Sequence, residues 1–314
     1  MTLITLQNGT QIDDVVALAK ALIGPNDLAN GGQLSPQRAA KLIMMIFKDT
    51  FLTKINTVRM DRLERNVDAI DVASRQLVRV PQGTEPEAGQ TANASEHGAV
   101  LRALAVQLFP SLTLDFLRAN KDNSNLLKEL ETAFVTRLQN DLVDLGFNGI
   151  NDTGAGATQE EKFLNLNKGW VQIAREDDDA PKLAIDPATD TWQATLGEVM
   201  DKGDTRWRET SAFVMNLADA DAYARELGGH VTGTPLTAES PLRRYQGRPI
   251  EAHPRMPQGH VMFTPLKNLV HGVHTDIHQD REYHKRRRVL EYTFDMAVDY
   301  EIAVKEACVL AQPE

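Results

Sequence analysis

Between Pro81 and Gly98 the chain reads PQGTEPEAGQTANASEHG, eighteen residues almost free of large apolar side chains, with strand-like sequence on either side. Upstream, Arg59 to Val80 contains alternating stretches such as Val67-Asp68-Ala69-Ile70-Asp71-Val72, the period of a half-buried strand. Downstream, Leu101 to Leu108 resumes an apolar pattern. A segment so poor in apolar groups cannot offset its own ordering entropy and is expected to be flexible when alone. Strand, polar tip and strand over residues 57–104 predict a long two-stranded loop projecting from a body. Such a loop has no core of its own and needs a neighbour to lie on.

The rest of the chain supplies the body. Residues 1–48 read as an arm with two short helices. One runs Asp13 to Ile23, with Val15, Val16, Leu18, Leu22 and Ile23 near helical spacing, and is broken at Gly24-Pro25-Asn26-Asp27. The other follows Ser35-Pro36, a cap and first-turn proline, and carries Ala39, Leu42, Ile43 and Ile46. The strongest helical pattern spans residues 112–146, where Leu127, Leu130, Phe134, Leu138, Leu142 and Leu145 recur in steps of three and four and Gly146 offers a C-cap. Thirty-odd residues at about 1.5 Å each would form a rod on the order of 50 Å.

A second helix is predicted over Glu160 to Ala174, with Phe163, Leu166, Trp170 and Ile173 on one side. Residues 195–265 read as an α/β unit. It comprises a buried strand at Ser211 to Leu217, a helix at Asp219 to Leu227 ended by Gly228-Gly229, and strands at Pro249–Ala252 and His260–Phe263. Strand character returns at Leu269-Val270 and Ala297 to Leu310, and there is no internal repeat.

With 314 residues, 42% hydrophobic and 25% charged, a substantial core is expected. The formal net charge of −10 argues against a protein whose main task is gripping duplex DNA, which calls for a basic face. Cys308 is the only cysteine, so no disulfide forms within one chain. No apolar run reaches the length of a membrane span, and the opening MTLITLQNGTQIDD shows no secretory pattern.

Four features invite chemistry. His271, His274, His278 and His284 fall within fourteen residues, and the first three would share one helix face in a zinc- or iron-like spacing. Gly272 and the preceding Phe263-Thr264-Pro265 argue instead for strand and loop, with the histidines solvated or at an interface. Lys285-Arg286-Arg287-Arg288 is the one concentrated basic run, read as a turn or an ion-pair surface more readily than as a nucleic-acid contact. Glu176-Asp177-Asp178-Asp179 lacks the glycine and distal glutamate of a calcium loop. Gly154-Ala155-Gly156 is a turn, since position 159 is glutamine and no strand leads into it. HExxH, CxxC, GxxxxGK[ST] and GxSxG are all absent. No catalytic, cofactor or metal site is assigned.

Several blocks carry a family resemblance. Phe51-Leu52-Thr53-Lys54-Ile55-Asn56 is similar to an FLxxIN element, and Gly146-Phe147-Asn148-Gly149 to a GFNG turn. Leu166 to Gln172 resembles VxxGWLQ, and Thr264 to Leu269 resembles TxLxNL. Arg288-Val289-Leu290-Glu291-Tyr292 and Asp299-Tyr300 resemble RVExY and xDY positions. In order and spacing over residues 51–305 these blocks resemble the major capsid proteins of P2-like (peduovirus) tailed phages. Ala303-Val304-Lys305 departs from the family's closing EDY-type run, and the arm shows no clear match.

The resemblance implies an α+β fold of the Hong Kong 97 (HK97) type. Its parts would be an N-terminal arm (1–48), a peripheral domain with a long spine helix (49–56, 105–194 and 266–314), an extended β loop (57–104) and an axial domain (195–265). It implies a virion shell protein, assembled in the host cytoplasm into hexamers and pentamers around double-stranded DNA that it touches weakly. Portal and scaffolding proteins, and in some cases a decoration protein, would be its partners, with no membrane and no cofactor. In some capsids of this fold a loop lysine is joined to a neighbour's asparagine. The rival readings are an encapsulin-like compartment and a metal-dependent enzyme built on the C-terminal histidines.

Overall fold

The computed structural model describes residues 50–72, 94–119, 126–186, 190–230, 244–275 and 278–313. The two helices expected in the arm, and most of the polar tip, lie outside them; the last five tip residues, 94–98, are strand. The described chain opens with α1 (Thr50–Lys54), β1 (Asn56–Met60), β2 (Glu64–Val72), β3 (Ala94–Arg102), β4 (Leu104–Leu108), β5 (Ser111–Thr113) and α2 (Leu114–Ala119). It continues through α3 (Leu126–Asn148), α4 (Gln159–Leu164), α5 (Trp170–Glu176), β6 (Lys182–Ile185), α6 (Trp192–Lys202), β7 (Ser211–Asn216) and α7 (Leu217–His230). β8 (Arg244–Tyr245), β9 (Arg248–His253), β10 (Val261–Pro265), β11 (Leu269–His274), β12 (His278–His284), β13 (Val289–Ile302) and β14 (Val309–Pro313) complete it.

β13 organises one six-stranded sheet. Leu290, Tyr292, Phe294 and Met296 alternate inward along it, as a half-buried strand requires. One edge of β13 pairs with β11 and then β12, the other with β4 and then β5; β1 adds in parallel to β11. The second sheet has the order β6-β14-β10-β7-β9-β8. Most of its strands, with α6 and α7, come from the stretch around residues 195–265, and β7 is buried at every position. The sheet also takes in β6 and β14 from outside that range, so the chain end beyond β13 crosses from one sheet to the other.

The long helix is shorter than its periodicity suggests. Residues 111–113 pair with Val289–Glu291 of β13, which places Leu112 in a cluster with Leu290, Tyr292 and Phe294. Tertiary pairing overrides the local pattern there. At 23 residues, α3 is about 35 Å long. Gly146 does not cap it, because the helix runs on to Asn148. Asn148 donates to Asp144 Oδ1 and to the Arg255 carbonyl, both at 2.8 Å. Gly146 makes room for Trp170, whose Cζ3 would stand 2.6 Å from an added Cβ.

The single helix expected at 160–174 is two. α4 is opened by a capping box of Thr158 and Glu161 and closed at Asn165. α5 starts only after Asn167, which is buried and donates Nδ2 to the Val298 carbonyl at 2.9 Å. Trp170 Nε1 donates to Val270 O at 3.0 Å, and Tyr300 Oη donates to Leu142 O at 2.7 Å. These bonds satisfy the polar atoms of two fully buried rings that pack edge to face, 5.2 Å apart. One continuous core then runs from Phe51 and Leu52, beneath Leu138, Leu142 and Leu145 of α3, to side chains from both sheets.

Candidate assembly site at the root of the projecting ladder

β2 and β3 pair with each other from Glu64 opposite Arg102 to Val72 opposite Ala94, forming a two-stranded sheet of their own. A lone hairpin is marginal in water, so what matters is how its root is held. The Ala103 N–H donates to the Leu63 carbonyl at 2.8 Å and closes the ladder. Leu101 plugs the body, fully buried with Met60, Ala103, Val270 and Ala297. Gly272 of β11 admits that plug, since an added Cβ would meet Met60 Sδ at 2.8 Å and Leu101 Cδ1 at 3.1 Å.

Asp299 makes the tie between ladder and body. The β4–β13 ladder ends at Leu104 opposite Val298, and the next residue of β13 accepts the Arg102 N–H on its Oδ2 at 2.6 Å. Burial pushes the Asp299 carboxyl up to about 6, although the N–H groups of Arg102 and Tyr300 and the Asn167 side chain favour its charged form. Glu301 is also raised by burial. On the solvent side, Arg65 donates to the Arg59 carbonyl at 2.5 Å, and Leu63 and Val100 remain exposed. Sequence reading missed this root, although one signal was present: Asp299 is a lone acid in the apolar run Met296 to Tyr300.

The histidines do not converge. His271 and His274 lie on β11, where a step of three sends side chains to opposite faces; His278 and His284 lie on β12. His271 is fully buried, stacks on Tyr300, and is held by burial far below its ordinary value, at about 3. His284 faces Glu291 at 3.0 Å and Glu282 at 3.8 Å. Among the described residues no three His, Cys, Asp or Glu side chains come together as metal ligands do, and no helix is long and apolar enough to cross a membrane.

The basic run forms the exposed turn between β12 and β13, with Arg288 at φ 55°. Two of the acids at 176–179 serve ion pairs, Glu176 with Lys168 at 2.9 Å and Asp177 with Lys305 at 2.6 Å. Gly154 to Gly156 is a loop ahead of the α4 cap, and Cys308 is buried, its thiol pushed up to about 12 by that burial.

A two-sheet α+β body, a helix packed on its core and a ladder tied on at its root form an architecture with known counterparts. Over residues 17–228 the sequence matches the profile described as phage major capsid protein, P2 family. The chain belongs to the P2 family of phage major capsid proteins. Similar solved structures include a chain of the satellite phage P4 procapsid with its size determination (Sid) protein, 16% identical, covering 87% of this chain and 98% of that one, with TM-score 0.67. The capsid of the native GTA particle is 14% identical over 83% of this chain and 88% of that one, TM-score 0.58. A Microbacterium phage Oxtober96 chain is 11% identical over 84% and 91%, TM-score 0.56. No curated protein matches the sequence.

The fold of this capsid protein is α+β of HK97 type. It is a shell-forming virion component that assembles with copies of itself, and family and fold point to a structural, non-enzymatic role. Neither the encapsulin-like compartment nor the metalloenzyme is favoured.

Proposed function

We propose that this capsid protein closes an icosahedral shell of hexamers and pentamers around the phage's double-stranded DNA, and that the extended loop, residues 57–104, reaches a neighbouring subunit. The observation that carries this is the β2–β3 ladder, paired only with itself among the described residues and fastened to the body at its root. A partner subunit supplies the burial that such a hairpin lacks. The first sheet with α3 and α5 serves as the peripheral part, the second sheet with α6 and α7 as the axial part, and residues 1–48 as an arm.

A net charge of −10 suits a wall that must not adhere to packaged DNA. Scaffolding and portal proteins, with or without a decoration protein, complete the particle in the host cytoplasm. Electron microscopy of the purified chain, alone and from phage-producing cells, tests the reading. Closed shells filled with DNA in the second case are expected; open filaments, or shells filled with protein cargo, would overturn it.

A further inference from the structure

We infer that the tip of the β12–β13 hairpin, together with Phe109 and Phe116, is a contact surface for a second copy of this chain, whose carboxylates it receives. The inference rests on the shell-building reading above. Lys285 to Arg288 are all exposed, and the tip is fixed. The Arg288 N–H donates to the His284 carbonyl at 2.8 Å, and the Leu114 N–H, where α2 starts, donates to the Arg288 carbonyl at 2.9 Å. Arg287 is paired with Glu291 at 2.8 Å. Lys285, Arg286 and Arg288 have no carboxylate partner among the described residues.

The two phenylalanines belong to the same edge. β5 pairs with Val289–Glu291 directly beyond the tip. Phe109 precedes Pro110, whose carbonyl accepts the Tyr292 N–H at 2.9 Å, and Phe116 lies in the first turn of α2. Phe109 is 64% exposed and Phe116 40%, while Leu112 between them is buried. Exposed aromatics beside guanidinium groups are the composition of protein contacts. Subunits that each carry −10 repel one another, so an exposed run of cations does most good against a neighbour's carboxylates. Duplex phosphates would use the cations but gain nothing from two phenylalanines, which is why a second copy is the better fit.

The test compares assembly of the full chain with that of three variants: Lys285→Gln/Arg286→Gln, the same pair with Arg288→Gly (which keeps the left-handed backbone), and Phe109→Ser/Phe116→Ser. Assembly is followed by light scattering against protein and salt concentration, and folding by thermal melting of the free subunit. Each variant is expected to melt like the parent while its critical concentration for shell formation rises at least about tenfold. The cation variants should also lose much of the salt sensitivity of assembly. Shells forming at the parental concentration with the parental salt response would overturn the inference, and so would normal shells that merely retain less DNA, which would name phosphate as the partner. A parent chain that forms no shell at any concentration, with or without the phage's scaffolding protein, would refute the shell reading itself before any variant is compared.

Discussion

His271 stacks on Tyr300 across the β11–β13 ladder, ring centroids 5.0 Å apart and planes 12° from parallel. One step along the same ladder, Gly272 faces Asp299. Burial holds the imidazole down at about 3 and pushes the carboxyl up to about 6. Two adjacent rungs at the root of the loop therefore answer acid with opposite sign.

The consequence is measurable. His271 stays neutral in the folded chain, whereas in the unfolded chain it charges below about 6.5. Its contribution is complete above that pH and is lost as pH falls toward 3. Asp299 is ionised at a cost in the folded chain above about 6, and that cost is relieved as pH falls toward 3.8, where the unfolded chain also takes up its proton. Each effect amounts to at most about 1.4 kcal/mol per pH unit, so between pH 6 and 4 they nearly cancel. Asp299→Asn keeps an acceptor for the Arg102 N–H and removes only the relief, so its stability should fall more steeply with acid than the parent's. His271→Phe removes only the loss, so its stability relative to the parent should rise over the same range. Urea unfolding at several pH values checks both. Variant curves that run parallel to the parent would show that neither group titrates as its burial requires.

Gly272→Ala should loosen the loop root. The added methyl meets Met60 Sδ at 2.8 Å and Leu101 Cδ1 at 3.1 Å, and both of those side chains are fully buried. Overpacking of this kind costs about 1–3 kcal/mol. Trimming the plug in a Gly272→Ala/Leu101→Val double variant should return part of that loss. Melting temperatures of the two variants decide it, and an unchanged single variant would mean that the root yields more easily than its packing implies.

Leu138→Ala should cost about 2–5 kcal/mol, since the side chain is buried in the core beneath α3. Arg137→Ala, one residue away, removes only an exposed partner of Asp141 at 3.0 Å and should cost less than about 1 kcal/mol. Denaturant unfolding of the two variants side by side measures the contrast. Equal costs would place the buried face of α3 elsewhere.

What could be read in the sequence was what is local. The leucines of α3 and the apolar runs of β7 and β10 announce themselves by spacing, because one helix face or one buried strand is enough to explain them. The helical reading fails at residues 112–113 because Ser111–Thr113 are claimed by β13, some 180 residues on, and no periodicity records such a partner. The loop root was invisible for the same reason, as Met60, Leu101, Gly272 and Asp299 meet from four separate strands. The histidine cluster was dense in sequence and dispersed in space, because strands send a step of three to opposite faces.

The mature shell should hold without covalent links through its extended loop. An isopeptide bond forms when a lysine amine in its uncharged form attacks a carboxamide carbonyl. No lysine lies between Lys54 and Lys121. Lys54 sits on α1, outside the ladder, and its Nζ is 2.5 Å from Glu251 Oε2. The cations of the loop are Arg59, Arg62, Arg65, Arg75, Arg79 and Arg102, and a guanidinium stays protonated and does not serve as that nucleophile. A disulfide between chains is closed off as well, because Cys308 is fully buried beside Thr264 and burial pushes its thiol up to about 12. Mature particles boiled in detergent with reductant should therefore release a single band at the monomer mass. A ladder of reductant-resistant oligomers would refute this and assign the joining to a lysine outside the loop.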